Sequence, residues 1–246
     1  TLIGYFLEHA EKQDWHLTVG DISAELCEKK IDGHPRGRAI AFDVFNAEQR
    51  KEELSKADIV VSMLPASMHI EVAKDCVELG KHLTTASYIS KEMKALDEAA
   101  KSKGLTLLNE TGLDPGIDHL SAMKLLNEIR NDGGKVEHFE SFTGGLVAPE
   151  SDDNPWHYKF TWNPRNVVLA SQGGAVKFIH NGKYKYIPYH RVFRRTEYIQ
   201  IEGHDEFEGY ANRDSLSYRE VYGLHDVKTL YRGTLRKPGY SRSWDT

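Results

Sequence analysis

The sequence lacks any apolar run of the roughly 18–20 residues that a membrane-spanning helix needs. It has no excess of basic residues either, because 32 Lys and Arg stand against 37 Asp and Glu and the two signs are interspersed. The N-terminal segment shows no signal-peptide pattern. We therefore expect a cytoplasmic protein that binds neither membranes nor nucleic acid.

Cysteine and metal-binding patterns are scarce as well. Only Cys27 and Cys76 occur, and both fall in helix-like segments, which predicts reduced thiols rather than a disulfide framework. The 12 His residues show no HExxH motif or paired-ligand spacing, so we expect no metal site. The overall composition, 39% hydrophobic and 28% charged, is typical of a globular protein.

Strand-like and helix-like segments alternate through the first half of the chain. The predicted strands cover residues 15–19, 39–43, 58–64, 82–85 and 105–109. Short links closed by glycine join them to amphipathic helices. This alternation predicts an α/β fold with a doubly wound, Rossmann-type parallel sheet, whose strand C-termini line one ligand-binding crevice.

The pattern changes after about residue 118. Segments rich in aromatic and β-branched residues follow, and Asn181-Gly182 between two of them is a strong hairpin signal. We predict a dinucleotide-binding domain over 1–118 and a second α+β domain with a mixed sheet over 119–246.

Asp21, just after the strand at 15–19, is the first cofactor candidate. An acidic residue at the end of the second Rossmann strand accepts hydrogen bonds from the adenosine ribose, and a 2′-phosphate would place a like charge beside it. Asp21 therefore favours NAD over NADP. It also implies that the first strand and the Gly-rich loop would precede Thr1. The alternative is that Asp21 caps the helix that follows.

Two further strand ends supply weaker cofactor candidates. Asp43 and Val44 follow the third strand, where an acidic residue meets the adenine edge. Ser62 and Leu64 end the fourth strand, where backbone groups could meet the nicotinamide half. These signals alone also fit epimerases and ligand-sensing domains.

The segment NETGLDPGIDH at 109–119 is more specific. It places two Gly and a Pro among carboxylates at a strand end, and so tight a turn aims side chains at a ligand. Asp118 could instead cap the next helix. Asp114, Asp118 and His119 are also metal-ligand types, although no further sequence partner supports a metal site.

Five blocks together carry a family resemblance. They are TTASYIS at 84–90, NETGLDPGIDH at 109–119, TGGLVAPESDDNPWHYKFTW at 143–162, NRDS at 212–215 and RGTLR at 232–236. Their order and separations resemble saccharopine dehydrogenases of the L-glutamate-forming type. That family interconverts saccharopine with L-glutamate and 2-aminoadipate 6-semialdehyde by hydride transfer to or from NAD(P). The resemblance implies an oxidoreductase of lysine metabolism that acts on CH–NH donors.

The resemblance also implies roles for individual residues. Substrate-binding positions match Ser87, Tyr88, Asp114, Arg213, Thr234, Leu235 and Arg236. Further cofactor-binding positions are expected at Thr84, Thr85, Asp114, Gly116 and Trp162. Saccharopine carries three carboxylates, which suits the planar guanidinium fork of arginine. Without the resemblance, we would interpret an Arg in such a domain as one partner of a surface ion pair.

Tyr88 and Asp114 are the expected catalytic residues. Amine oxidation needs the nitrogen deprotonated before hydride leaves, and water must then attack the imine. We expect both side chains near that nitrogen as proton carriers or electrostatic support, without assigning a single general base.

The sequence departs from the family at Thr143, where fungal members carry cysteine, and at Asp21, where NADP-using members carry arginine. The first departure argues against an essential thiol, and the second supports NAD. Family members continue beyond RGTLR into a helical third domain, so we expect a chain truncated at both ends. The family also implies a homodimer formed through the sheet of the second domain.

Two other functions remain open. Carboxynorspermidine and homospermidine synthases reduce imines on related scaffolds, although a polyamine substrate would favour carboxylates over Arg213 and Arg236. The chain could also be a non-catalytic fragment, because it lacks the loop whose backbone N–H groups bind pyrophosphate.

Overall fold

A computed structural model describes residues 2–161, 164–165, 167 and 174–245. The chain divides into two compact units, Thr1–Gly116 and Ile117–Thr246. This division lies next to the boundary expected at residue 118. No helix in the described ranges is long and apolar enough to cross a membrane.

The first unit alternates strands and helices. Its strands are β1 (Leu17–Asp21), β2 (Gly37–Ala41), β3 (Ile59–Ser62), β4 (His82–Thr85) and β5 (Leu107–Leu108). Its helices are α1 (Leu2–Ala10), α2 (Ala24–Ile31), α3 (Ala47–Ser55), α4 (His69–Leu79), α5 (Lys91–Lys94) and α6 (Asp97–Ser102). The α/β alternation expected from the sequence is confirmed.

All strand pairs of the first unit are parallel, and they form two separate sheets. β1 pairs with β2, while β3, β4 and β5 pair in that order. In a doubly wound sheet of order 3-2-1-4-5-6, the place between β1 and β3 belongs to the first strand. Among the described residues no strand occupies that place, which agrees with a Rossmann-type sheet that lacks its first strand.

Local sequence signals explain where the helices of this unit begin and end. The Ser23 hydroxyl caps α2 by accepting from the Leu26 N–H at 3.4 Å, and Asn46 caps α3. Gly80 ends α4 with φ +72°, a conformation that glycine adopts without strain. The core beneath these helices contains the fully buried Cys76 and Leu83.

The second unit is built on a mixed sheet. Its strands are β6 (His138–Thr143), β7 (Val176–His180), β8 (Lys183–Ile187), β9 (Thr196–Gln200), β10 (Glu206–Ala211) and β11 (Thr229–Arg236). The order is β8-β7-β11-β10-β9, with β6 also paired to β11, and only the β6–β11 pair is parallel. Helices α7 (Ile117–Asn131), α8 (Tyr218–Val221) and α9 (Tyr240–Trp244) accompany it. The expected mixed α+β domain is confirmed.

The Asn181-Gly182 hairpin is confirmed too. It joins β7 to β8, with His180 opposite Lys183 and both turn residues at positive φ (+48° and +74°). Positive φ at both central residues is the requirement of a type I′ turn, which explains the Asn-Gly pair.

Strand β11 separates two cores of the second unit. Leu230 packs with Leu126 and Phe139, whereas its neighbour Tyr231 packs with Phe178 and Tyr240 in another cluster. Successive residues of a strand point to opposite faces, so both faces of β11 are covered. The RGTLR block therefore begins on the buried part of β11 and ends at the last residue of that strand, the half-buried Arg236.

Candidate functional site

Two of the expected site residues, Tyr88 and Asp114, form a hydrogen bond with each other. The Tyr88 hydroxyl donates to Asp114 Oδ1 at 2.8 Å. Tyr88 follows β4, Asp114 follows β5, and these strands are adjacent and parallel. The Tyr88 side chain is 38% exposed, so the pair is accessible to a ligand.

Backbone contacts hold this pair in place. The Glu110 N–H donates to the Ser87 carbonyl at 3.1 Å, and the Thr111 N–H donates to the Thr85 carbonyl at 3.2 Å. The loop after β5 is thereby tied to the loop after β4. The Thr111 hydroxyl adds a bond to the same Thr85 carbonyl and lies 3.0 Å from the Thr84 hydroxyl.

Glycine is required at the turn that carries Asp114. The Gly112 N–H donates to the Pro115 carbonyl at 2.9 Å, and Gly116 has φ +151°. A Cβ on Gly116 would lie 2.0 Å from the Gly112 carbonyl oxygen. Gly116 is thus needed for the shape of the loop, whatever contact it makes with a cofactor.

A buried histidine joins the ends of β3 and β4. His69 Nδ1 lies 2.8 Å from Ser62 Oγ, and its Nε2 lies 2.8 Å from Ser87 Oγ and 3.2 Å from Thr85 Oγ1. Burial lowers the pKa of His69 below its ordinary value. Sequence reasoning missed this residue because a lone His at the start of an apolar helix has no motif. Its position seven residues after Ser62, the end of β3, was the only signal.

Asp21 is exposed at the carboxyl end of β1. Its Oδ1 accepts from the Ser23 N–H at 3.0 Å, and Ser23 itself caps α2. The alternative that Asp21 caps this helix is therefore wrong. Arg36 and Arg38, the basic residues on and beside β2, pair with Asp14 and Glu53 instead.

The other strand-end candidates follow β2 and β3 along the chain. Asp43 Oδ1 accepts from the Phe45 N–H at 2.9 Å. Val44 is buried in the core, and its carbonyl accepts from Arg50. Leu64 is half-buried against the same core.

In the second unit, Arg236 lies between two aromatic rings. Its guanidinium carbon is 5.1 Å from the ring centres of Tyr158 and Tyr240. Its NH1 donates to the Leu235 carbonyl at 3.0 Å and to the Gly145 carbonyl at 3.3 Å. Within the described residues its Nε is buried without a hydrogen-bond partner. The rings and carbonyls hold the cation in one orientation.

Gly144 allows the approach of the TGG segment to β11. A Cβ there would lie 2.0 Å from the Leu235 carbonyl oxygen and 2.8 Å from Arg236 NH1, whereas one on Gly145 would meet nothing within 4 Å. The first glycine of the pair is therefore a steric requirement, and the second is not.

The remaining expected substrate residues lie around the same sheet. Arg213 is exposed, with φ +43°, and its carbonyl accepts from the Lys177 N–H at 2.9 Å. Thr234 is half-buried on β11 opposite Tyr210, and Leu235 is buried. Trp162 lies outside the described residues.

Asp118 and His119 are engaged within the second unit. Asp118 Oδ2 accepts from Arg232 NH2 at 2.6 Å, and His119 Nδ1 lies 2.6 Å from the Tyr222 hydroxyl. Asp118 is the second residue of α7, so the expectation that it caps this helix is wrong. In the part of the chain that the structure describes, no group of three or more His, Cys, Asp or Glu side chains could hold a metal ion.

Comparison with known proteins gives the chain a family. Residues 4–108 match the family model described as saccharopine dehydrogenase NADP binding domain, and residues 112–246 match the saccharopine dehydrogenase C-terminal domain. The L-glutamate-forming, NADP(+) saccharopine dehydrogenase of Schizosaccharomyces pombe is 38% identical over 94% of this chain and 51% of its own length. Alpha-aminoadipic semialdehyde synthase of Arabidopsis thaliana is 41% identical over 94% of this chain and 22% of its own length.

A solved structure agrees. The apo L-Glu-forming saccharopine dehydrogenase of Saccharomyces cerevisiae superposes with a TM-score of 0.88 at 33% identity, covering 98% of this chain and 54% of that one. The chain thus spans about half the length of its fungal relatives. The matched domain and the fungal enzymes are named for NADP, which favours NADP over the NAD expected from Asp21. By both matched domains and by this superposition, the chain belongs to the saccharopine dehydrogenase family.

Proposed function

We propose that this chain is the catalytic part of an enzyme that interconverts saccharopine with L-glutamate and 2-aminoadipate 6-semialdehyde. The observation that carries the proposal is the Tyr88–Asp114 hydrogen bond of 2.8 Å, in a member of this family, at the carboxyl ends of adjacent parallel strands. In open α/β sheets, that edge is where ligands bind.

The Tyr88–Asp114 pair suits a secondary amine. Since the Tyr88 hydroxyl donates its hydrogen to Asp114, its oxygen can act toward a ligand only as an acceptor. A carboxylate oxygen, such as that of Asp114, likewise accepts hydrogen bonds and donates none. The protonated secondary amine of saccharopine has two N–H groups, which two neighbouring acceptors can bind and orient before one proton is lost.

The first unit has residues that fit a nicotinamide dinucleotide, which would supply the hydride acceptor. Asp21 is exposed at the end of β1, and among the described residues no basic side chain forms an ion pair with it. A carboxylate there can accept from ribose hydroxyls but would repel a 2′-phosphate. We therefore propose NAD as the preferred cofactor, in contrast to the NADP of the relatives' names.

Binding measurements test the cofactor. Titrating the chain with NADH and with NADPH by fluorescence should give tighter binding of NADH. D21N should weaken NADH binding about tenfold, since a hydrogen bond to a charged group contributes about 1.5–3 kcal/mol. E25Q removes the same charge from the exposed first turn of α2 and should change neither affinity. Equal affinities for the two dinucleotides would contradict NAD preference.

Arg236 supports a carboxylate-bearing substrate. Its NH1 is engaged with backbone carbonyls and its ring contacts fix the guanidinium plane. A fixed guanidinium is suited to bidentate pairing with a carboxylate. R236M should raise KM for saccharopine, whereas R191M, which removes an exposed arginine of the segment Tyr189–Arg194, should not.

Turnover tests the whole proposal. Saccharopine oxidation is followed as NADH formation for the wild type and for Y88F and D114N. We expect D114N to lower kcat/KM by roughly 100-fold, at the lower end of the range for general acid–base groups. The control Y198F changes an exposed tyrosine of β9 and should be neutral. Unchanged turnover in both site variants would refute the assignment.

We also propose a cytoplasmic homodimer that forms through the second sheet. Tyr184 and Tyr186 support it, because they share one face of the edge strand β8 and are both exposed. Light scattering of the wild type and of a Y184S/Y186S variant would test it, and a monomeric wild type would contradict it. The two free, buried cysteines suit a reducing compartment.

A further inference from the structure

We propose that His69 is a positioning residue that holds the Ser87 hydroxyl with its hydrogen directed toward a carboxylate of the substrate. The inference rests on the proposed function, because only that function makes Ser87 a substrate contact. His69 belongs to no sequence motif, and it lies behind Ser87 rather than in the exposed part of the site.

The geometry places three hydroxyl groups around one imidazole. Ser62 lies 2.8 Å from Nδ1, while Ser87 at 2.8 Å and Thr85 at 3.2 Å both face Nε2. Ser62, Thr85 and His69 are buried, so water does not complete their hydrogen bonds. The imidazole thus links side chains at the ends of β3 and β4, which are also paired through their backbones.

A count of hydrogens selects one tautomer. In the residues that the structure describes, the Ser62 hydroxyl has His69 Nδ1 as its partner. If Nδ1 carried the proton, the buried Ser62 hydrogen, 2.8 Å from Nδ1, would have no acceptor. With the proton on Nε2, Ser62 donates to Nδ1 and the Nε2 hydrogen goes to the Ser87 oxygen. Thr85 Oγ1, which lies 3.2 Å from Nε2 and 3.5 Å from Nδ1, then has Nδ1 as the acceptor for its own hydrogen at the longer distance.

This tautomer decides whether the Ser87 hydroxyl donates or accepts a hydrogen bond toward the substrate. Because its oxygen accepts from Nε2–H, the Ser87 hydrogen remains to be donated. An ionised carboxylate only accepts hydrogen bonds, so it requires a donor at this place. With the opposite tautomer, Ser87 would donate into the protein and present lone pairs, which repel a carboxylate.

A neutral ring is a second condition. A protonated imidazole would donate from both nitrogens and reverse the bond to Ser62. Burial disfavours the charged form, and the pKa of His69 is lowered by that desolvation. The ring therefore keeps one donor and one acceptor at neutral pH.

The direct test is a long-range ¹⁵N–¹H correlation spectrum of the ¹⁵N-labelled wild-type chain at pH 7.5. The His69 signals are assigned by their loss in H69Q. We expect Nε2 protonated and Nδ1 unprotonated. A proton on Nδ1, or on both nitrogens, would overturn the inference. The spectrum needs no turnover, so this result is separate from any failure of the proposed activity.

Kinetics supply the second readout. H69F removes the bond to Ser87 and should raise KM for saccharopine about tenfold or more, with little change in kcat, because the lost interaction is to a charged group. H69Q keeps an N–H donor near the position of Nε2 and should recover most of that loss. H69F/S87A should be no worse than S87A alone, since both changes remove one contact. Additive losses would mean that His69 acts on the fold rather than through Ser87.

Discussion

Asp118 and Arg232 form a buried ion pair whose loss should be measurable in the second unit. Asp118 Oδ2 and Arg232 NH2 are 2.6 Å apart, and the two side chains are 1% and 8% exposed. The Arg232 guanidinium also stacks at 4.0 Å over the Tyr218 ring. D118A therefore leaves a desolvated cation beside an aromatic ring without this carboxylate.

Breaking a buried pair by removing one partner costs about 3–5 kcal/mol in free energy of unfolding. With a urea dependence of about 2 kcal/mol per M, the midpoint should fall by about 2 M. Fluorescence can follow this unit alone. In a W15F background, the remaining tryptophans, Trp156, Trp162 and Trp244, all belong to the second unit.

A surface pair in the same unit provides the matched control. Glu137 and Lys228 are also 2.6 Å apart, but they are 52% and 59% exposed. E137A should cost less than about 1 kcal/mol, because water screens such a pair. The double variant D118L/R232M should be more stable than D118A, since it buries no unpaired charge. Equal costs for E137A and D118A would refute the reasoning.

Three further outcomes follow from burial and close contact. The thiols of Cys27 and Cys76 should resist alkylation in the folded chain, because both are buried and burial raises the pKa of Cys76 to about 12; rapid labelling before unfolding would contradict this. Gly144→Ala places its Cβ 2.0 Å from a β11 carbonyl and should reduce saccharopine turnover far more than Gly145→Ala, which meets nothing within 4 Å. Burial depresses the pKa of His69 in the folded chain, so as pH falls below about 6.5 the unfolded chain takes up a proton before the folded chain does, and the folded state loses stability. The melting temperature should therefore drop between pH 7.5 and 5.5 more for wild type than for H69Q.

Local patterns in the sequence predicted much of the fold. The β7–β8 hairpin follows from Asn181-Gly182, and the alternation of short apolar strands with helices predicted the parallel sheets. The parallel pairing of β6 with β11 joins segments about 90 residues apart and has no local signature. Nothing in the sequence near His138 indicates that its strand pairs with Thr229.

The sequence predicted site residues at positions where a suitable residue type follows the end of a strand. Tyr88 and Asp114 are 26 residues apart, and family resemblance rather than spacing brought them together. Asp118 was read as a helix cap because its partner, Arg232, lies 114 residues further along. His69 was missed for a similar reason, since its role depends on hydroxyls from two other strand ends.

The position of β11 has a consequence for synthesis of the protein on the ribosome. The described strand pairs within the first unit can all form once Gly116 has left the exit tunnel. In the second unit, β6, β7 and β10 all pair with β11, which is translated after them. Until residues 229–236 emerge, the nascent chain carries the open edges of three strands, and such edges are prone to wrong pairing. The second unit can therefore complete its sheet only after β11 has emerged, whereas the strand pairs of the first unit can form while translation continues.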